Sequence, residues 1–234
     1  MALLDLPFLL EDNHVLVVAK PAGMLAQADT SKDVDVLTAA RERIKRRDAK
    51  PGNVYLGLVH RLDRPVSGVM AVAKTSKAAG RLSRQFRERT PEKTYLAVVA
   101  GRPEPGQGEL RHCLVRDRRT RVTRPACKED AGREALLRYR VRESRAGRSL
   151  VEIELVTGLP HQIRAQLAAA GHPIAGDRKY GATRYLDTGP GVIALHAAAL
   201  SFEHPVRRES VLVRAATPPQ IGRASCRERV CHRV

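Results

Sequence analysis

Leu58-Val59-His60-Arg61-Leu62-Asp63-Arg64-Pro65-Val66-Ser67-Gly68-Val69 is the stretch around which the rest of the chain is read. An apolar run leads in from Leu56, a second run, Val69-Met70-Ala71-Val72-Ala73, leads out, and a polar corner lies between them. The pattern predicts two buried strands joined by a short loop. Pro65 fixes its own φ and Gly68 permits a tight bend, so Asp63 sits on a loop held by rigid neighbours, as a positioned nucleophile or base requires. Arg61 and Arg64 flank it to balance its charge. Taken alone, the same residues also describe an ion-paired turn.

The chain has 234 residues, 43% of them hydrophobic, enough to bury a core within one domain or one domain of two lobes. No apolar run approaches membrane-spanning length. Residues 1–7 lack a basic leader and are broken by Asp5 and Pro7, so no secretory signal and a cytoplasmic location are expected. A formal charge of +17 makes a polyanion the default partner, although arginine greatly outnumbers lysine, as a GC-rich genome would produce. Aromatic residues are 3% of the chain with no Trp, which argues against a platform that stacks several bases. Specificity is then the work of a shaped pocket. Cys113, Cys127, Cys226 and Cys231 form no Cys-x-x-Cys pair and no zinc-ligand spacing, so free thiols and no metal are expected.

From the N-terminus, Phe8–Glu11 and His14–Ala19 around Asp12-Asn13 read as a hairpin stopped by Lys20-Pro21-Ala22-Gly23. Asp35 caps a helix with Val36, Leu37, Ala40 and Ile44 on one stripe and Arg41, Arg43, Lys45, Arg46 and Arg47 over the rest, a face suited either to phosphates or to solvent. Thr75-Ser76 starts a second helix through Ala78, Ala79, Leu82 and Phe86, and Lys93–Gly101 follows as a buried strand. Pro103–Gly108 reads as an internal hinge or lobe boundary. Arg116–Arg124 is the densest basic run, either an arm for phosphates or a solvated loop. Ala135–Val141 and Val151–Leu155 read as antiparallel strands, because short connections leave little room for crossover helices. Pro160 is placed to start a helix through Ile163, Leu167 and Ala170 to Gly171, with Arg164 in its first turn against the helix dipole, a cost of a few tenths of a kcal/mol unless a carboxylate offsets it. Residues 221–234 are read as a non-native tail, because Ile221–Val230 back-translates into a common sequencing-adapter read; the basic excess survives without them.

His60-Arg61-Leu62-Asp63-Arg64-Pro65-Val66-Ser67-Gly68 resembles the signature loop of the RluA-type RNA pseudouridine synthases, with Val66 where the family usually has Thr. The likeness extends to Lys20-Pro21-Ala22-Gly23, to Lys93-x-Tyr95, and to Thr157-Gly158-Leu159-Pro160-His161-Gln162-Ile163-Arg164, in which Leu159 replaces the usual Arg. It continues through Gly171–Asp177, Lys179-Tyr180-Gly181, Leu195-His196-Ala197 and Leu200–Pro205, so it spans about residues 8 to 219 in the family's order. No preceding small RNA-binding domain of the kind many relatives carry is expected.

The resemblance implies an α/β fold of the α+β type over residues 1–220: a large mixed, mostly antiparallel sheet with flanking helices and a central cleft. It implies an isomerase converting uridine to pseudouridine in structured RNA, ribosomal or transfer, with no cofactor, no metal and no obligate protein partner. Asp63 would be the essential catalytic residue, Arg164 its ion-pair partner, and Tyr95 would stack on uracil or help remove the C5 proton. Arg61, His60, His161, Gln162 and Leu200 would bind substrate. Two other classes compete: a basic RNA-binding protein that keeps the fold without the activity, and a basic nuclease or glycosidase that pairs Asp63 with a second carboxylate.

Overall fold

The computed structural model describes residues 6–31, 33–49, 51–127, 129–182 and 191–224. One mixed sheet of eleven strands runs through them, in the order β1 (Phe8–Glu11), β2 (Val15–Lys20), β4 (Ser67–Ala73), β10 (Leu195–Glu203), β5 (Glu92–Ala100), β9 (Arg148–Leu155), β8 (Arg133–Arg145), β6 (Gln107–Arg116) and β7 (Thr123–Pro125). The two-residue β3 (Gly57–Leu58) pairs with β4, and β11 (Ser210–Arg214) with β10. Only β4 and β10 run parallel; every other pairing is antiparallel, as short connections require. The sheet continues without a break across Pro103–Gly108, so the expected hinge is a connection inside one sheet.

β4 is buried at all seven positions because both its faces are covered. Met70 and Val72 enter the larger core with Val36 and Ile44 of α1 (Val36–Arg47) and Ile163 and Leu167 of α3 (Gln162–Ala169). Val69, Ala71 and Ala73 enter a second core under Ala78 and Leu82 of α2 (Ser76–Glu88). Leu82 is fully buried, a contribution of about 2 kcal/mol from apolar area alone. Both helix starts are capped as expected. Asp35 accepts from the Leu37 and Thr38 amides, and Thr75 from the Ala78 amide.

Gly68 meets a second demand beyond its conformational freedom. It lies within β4 at φ +121°, and a Cβ there would come 2.2 Å from the Ala197 carbonyl oxygen of β10. The glycine is therefore demanded by close approach of the two parallel strands. Much of the basic face of α1 is engaged by the protein itself: Arg41 and Arg43 donate to the Leu56 and Leu6 carbonyls, and exposed Arg47 grips Glu11. A last helix, α4 (Pro219–Ala224), packs against β5 and β9 and buries Ile221 to 1% exposure in the larger core. The boundary expected at residue 220 thus falls inside a helix. The rest of the presumed tail, 225–234, with Cys226 and Cys231, lies outside the described residues.

Candidate active site

The loop after β3, the start of β5, the end of β9, the start of α3 and one face of α2 converge on a cavity of about 440 Å³. Asp63, Tyr95 and Arg164 line it together, although they lie on three separate elements. Of the residues expected to bind substrate, His60, Arg61, His161 and Gln162 are also in its wall. Leu200 is not. Leu195 lines the cavity, while Leu200 is buried in the second core beside Phe202.

Arg164 Nη1 donates to Asp63 Oδ2 at 3.1 Å, while Nε and Nη2 donate to the two oxygens of Asp177 at 2.6 and 2.8 Å. Asp177 is 1% exposed and Arg164 5%. The tight, forked bond thus goes to Asp177, and Asp63 takes the single remaining arm of a guanidinium already balanced by another carboxylate. Burial works against the charge of Arg164, and the hydrogen bond and charge of Asp177, then Asp63, more than offset it. The same two carboxylates offset the dipole cost of a cation in the first turn of α3. They also bear on the nuclease or glycosidase reading. A second carboxylate does stand near Asp63, but Asp177 is buried with both oxygens engaged. Among the described residues no cluster could hold a metal ion.

The flanking arginines do not pair with Asp63, contrary to expectation. Arg64 turns outward to Asp33 at 2.7 Å and to the Gly23 carbonyl, and Arg61 makes no hydrogen bond or ion pair among the described residues. The loop is held instead by Lys20, 1% exposed, whose ammonium donates to the carbonyls of Pro21, Met24 and Arg64 at 2.9, 2.7 and 3.1 Å. Burial pulls Lys20 down to about 7 and the charge of Asp63 pulls it up. The three carbonyls favour the ammonium as well.

His60 and Gln162 stand in the wall, the first with Nε2 occupied and the second with both side-chain polar atoms occupied. His60 Nε2 accepts from the Ala71 amide at 2.9 Å and its ring stacks on Phe86 at 4.3 Å. Burial, then the charge of Lys93, brings it down to about 3, so the ring is neutral. Gln162 Oε1 accepts from Thr157 and from the Leu159 amide, and Nε2 donates to Leu136 and Gln166, which leaves nothing for a ligand. Both residues fix the shape of the cavity.

His161 adopts φ +57° and bonds Tyr180 through Nδ1 at 2.8 Å, with Nε2 3.7 Å from Asp63. Burial lowers it and Asp63 raises it. The Tyr180 ring lies under the Arg164 guanidinium, and its hydroxyl accepts from the Thr123 amide at the base of the β6–β7 hairpin. The basic run forms the tip of this hairpin, where Lys179 donates to the Thr120 and Arg121 carbonyls. Tyr95 keeps its hydroxyl free of partners among the described residues, and burial beside Asp63 pushes its phenol well above the ordinary tyrosine range.

Asp177, Lys20 and Tyr180 received no role from the sequence. The one available signal was the cost of Arg164 in a first helical turn. It calls for a carboxylate, and the structure supplies two, Asp63 with one bond and Asp177 with two.

The family model described as RNA pseudouridylate synthase matches residues 14–169. The chain is 36% identical over 210 residues to the dual-specificity RNA pseudouridine synthase RluA of Salmonella typhimurium, an alignment that covers 88% of this chain and 90% of that one. It is 36% identical over 229 residues to the ribosomal large subunit pseudouridine synthase D of Xylella fastidiosa, covering 93% and 68%. The solved human RNA pseudouridylate synthase domain containing 1 superposes with a TM-score of 0.77 at 26% identity, covering 96% of this chain and 88% of that one.

Proposed function

The chain belongs to the RNA pseudouridylate synthase family, and from that premise we propose that it isomerises uridine in ribosomal or transfer RNA with Asp63 as the essential catalytic carboxylate. The reaction breaks the C–N glycosidic bond, turns the uracil over, rejoins it through C5 and releases the C5 proton. Nothing is oxidised and nothing is added. It needs a carboxylate at the sugar, a pocket that retains the detached base and a flat partner for that base. Asp63 supplies the first, either by attack on C1′ or by taking a sugar proton to give a glycal. Tyr95 supplies the last. Its raised phenol favours stacking and O–H donation over service as a phenolate.

The observation that carries this reading is the 3.1 Å contact of Arg164 with Asp63 inside a cavity of nucleoside size. Arg164 orients a carboxylate that a ligand can reach, and Asp63 has no covering ion pair from its chain neighbours. A paired uridine hides its sugar face, so the target nucleotide would be turned out of its helix into the cavity, with Arg61 free at the rim for the RNA backbone. No described helix is long and apolar enough to cross a membrane. We place the protein with its RNA in the cytoplasm.

The test uses transfer and ribosomal RNA carrying tritium at C5 of uridine. The protein releases tritium to water, leaves the RNA uncut and is indifferent to a chelator. Strand cleavage, or no release from any cellular RNA, contradicts the reading.

A further inference from the structure

Lys93 is the cation in the cavity that the reaction has not yet used. It is half-buried near the start of β5 and shares the wall with Phe86 and Arg87 of α2 and with Gly158. Lys20 has three carbonyl acceptors, Lys74 has Glu11, and Lys179 has two carbonyls. Lys93 has none among the described residues. Burial lowers its proton affinity and the nearby charge of Arg89 lowers it further, with no carboxylate to oppose them. An ammonium desolvated beside another cation is an unfavourable arrangement that an anionic ligand would relieve.

The surroundings leave that ammonium open. Gly158 presents no side chain over it, since a Cβ there would sit 3.8 Å from Lys93 Nζ. Leu159, next in sequence, turns its apolar side chain onto Leu114, Ala135 and Ala165. Arg87, exposed on α2, makes no hydrogen bond or ion pair among the described residues. Lys93 and Tyr95 lie two residues apart on one strand and so face the same side, about 7 Å from one another along it. That separation is of the order of one nucleotide's span from base to flanking phosphate.

We propose that Lys93, with Arg87 at the rim, is the seat of the phosphodiester flanking the target uridine. The inference rests on the RNA-modifying reading above and adds to it a substrate contact outside the reacting atoms. The ammonium acts as a point charge that sets how deeply the turned-out nucleotide enters, with Tyr95 two residues along to receive the base.

The experiment measures binding of a uridine-containing RNA stem-loop by wild type, Lys93→Met and Lys93→Arg between about 50 and 200 mM salt, together with kcat and KM. Lys93→Met flattens the slope of log affinity on log salt by about 0.7 to 0.9, one phosphate contact, and raises KM several-fold with kcat within about twofold. Lys93→Arg keeps the wild-type slope. An unchanged slope in Lys93→Met overturns the proposal; combined with a raised KM, it assigns Lys93 to an uncharged group of the base. A fall in kcat at constant KM overturns it too. Should Lys93→Met fail to fold, Lys93→Gln takes its place with the same expectation. Binding slopes do not depend on turnover, so a wild type that binds but makes no pseudouridine refutes the enzymatic reading separately.

Discussion

Arg164 is held by Asp177 through two bonds and reaches Asp63 with one, so removing the arginine strands two carboxylates of different burial. Arg164→Met leaves Asp177 charged and unpaired at 1% exposure, which costs about 3 to 5 kcal/mol of stability. Adding Asp177→Asn recovers most of that loss and none of the turnover, because the buried unpaired charge is removed while Asp63 remains unoriented. Urea denaturation of the two variants checks this. An Arg164→Met stability within about 1 kcal/mol of wild type would contradict the account. Asp63, Tyr95 and Arg164 were legible because the resemblance attaches a role to each; Asp177 closes the motif Gly171–Asp177, but no role came with it. Its value comes from a bond made across a turn, thirteen residues from Arg164, and a buried Asp leaves no periodic trace in sequence.

At the level of elements, the N-terminal hairpin, α1 and β4 are clamped through Glu11. It accepts from Arg47 at 2.5 and 2.9 Å and from Lys74 at 2.7 Å. The Arg47 hydrogen bonds, against some burial and together with Lys74, bring Glu11 down from 4.5 to about 2. A folded-state value below the unfolded one means that the unfolded chain binds the proton first. The clamp therefore contributes fully above about pH 4.5 and is lost as the pH falls toward 2. With Arg47 47% exposed, its worth is about 1 to 2 kcal/mol after allowance for screening. Glu11→Gln is less stable than wild type by that amount at pH 6 and equal to it near pH 2 in thermal melts; a constant gap would exclude the clamp.

These elements were readable from caps and alternation: Asp35 and Thr75 start helices where expected, and the apolar run of β4 is buried on both faces. Which side of the sheet Leu200 faces was not legible: it lies in the second core beside Phe202 and outside the cavity wall, a placement set by tertiary packing. The conformational freedom expected of Gly68 is used at φ +121°, but its second demand, a close strand crossing, is a tertiary fact.

Across the whole molecule, the formal charge of +17 is unevenly used. On the outer strands Arg138 pairs with Glu109 and Glu154, Arg111 with Glu134 and Arg142 with Glu152, so this face is locally balanced. Arg61 and Arg87 at the cavity, and Arg118 at the hairpin tip, make no ion pair among the described residues, and Arg119 and Arg121 at the tip act on Asp117 and Asp29 only through their charge. Removing those three tip charges together should flatten the salt dependence of RNA binding by about 2, whereas Arg138→Gln should leave affinity within about twofold. Equal effects in a salt titration would mean that charge acts only in bulk. The total charge was plain from composition, but its division into balanced and open faces depends on cross-strand register, which composition does not carry.

The central claim is that one carboxylate performs the chemistry, and Asp63→Asn tests it most directly, since the amide keeps the shape and removes the charge. Tritium release from C5-labelled RNA, with RNA affinity measured on the same preparation, should show turnover reduced by at least about a thousandfold and binding within a few-fold of wild type. Release within about tenfold of wild type would contradict the account.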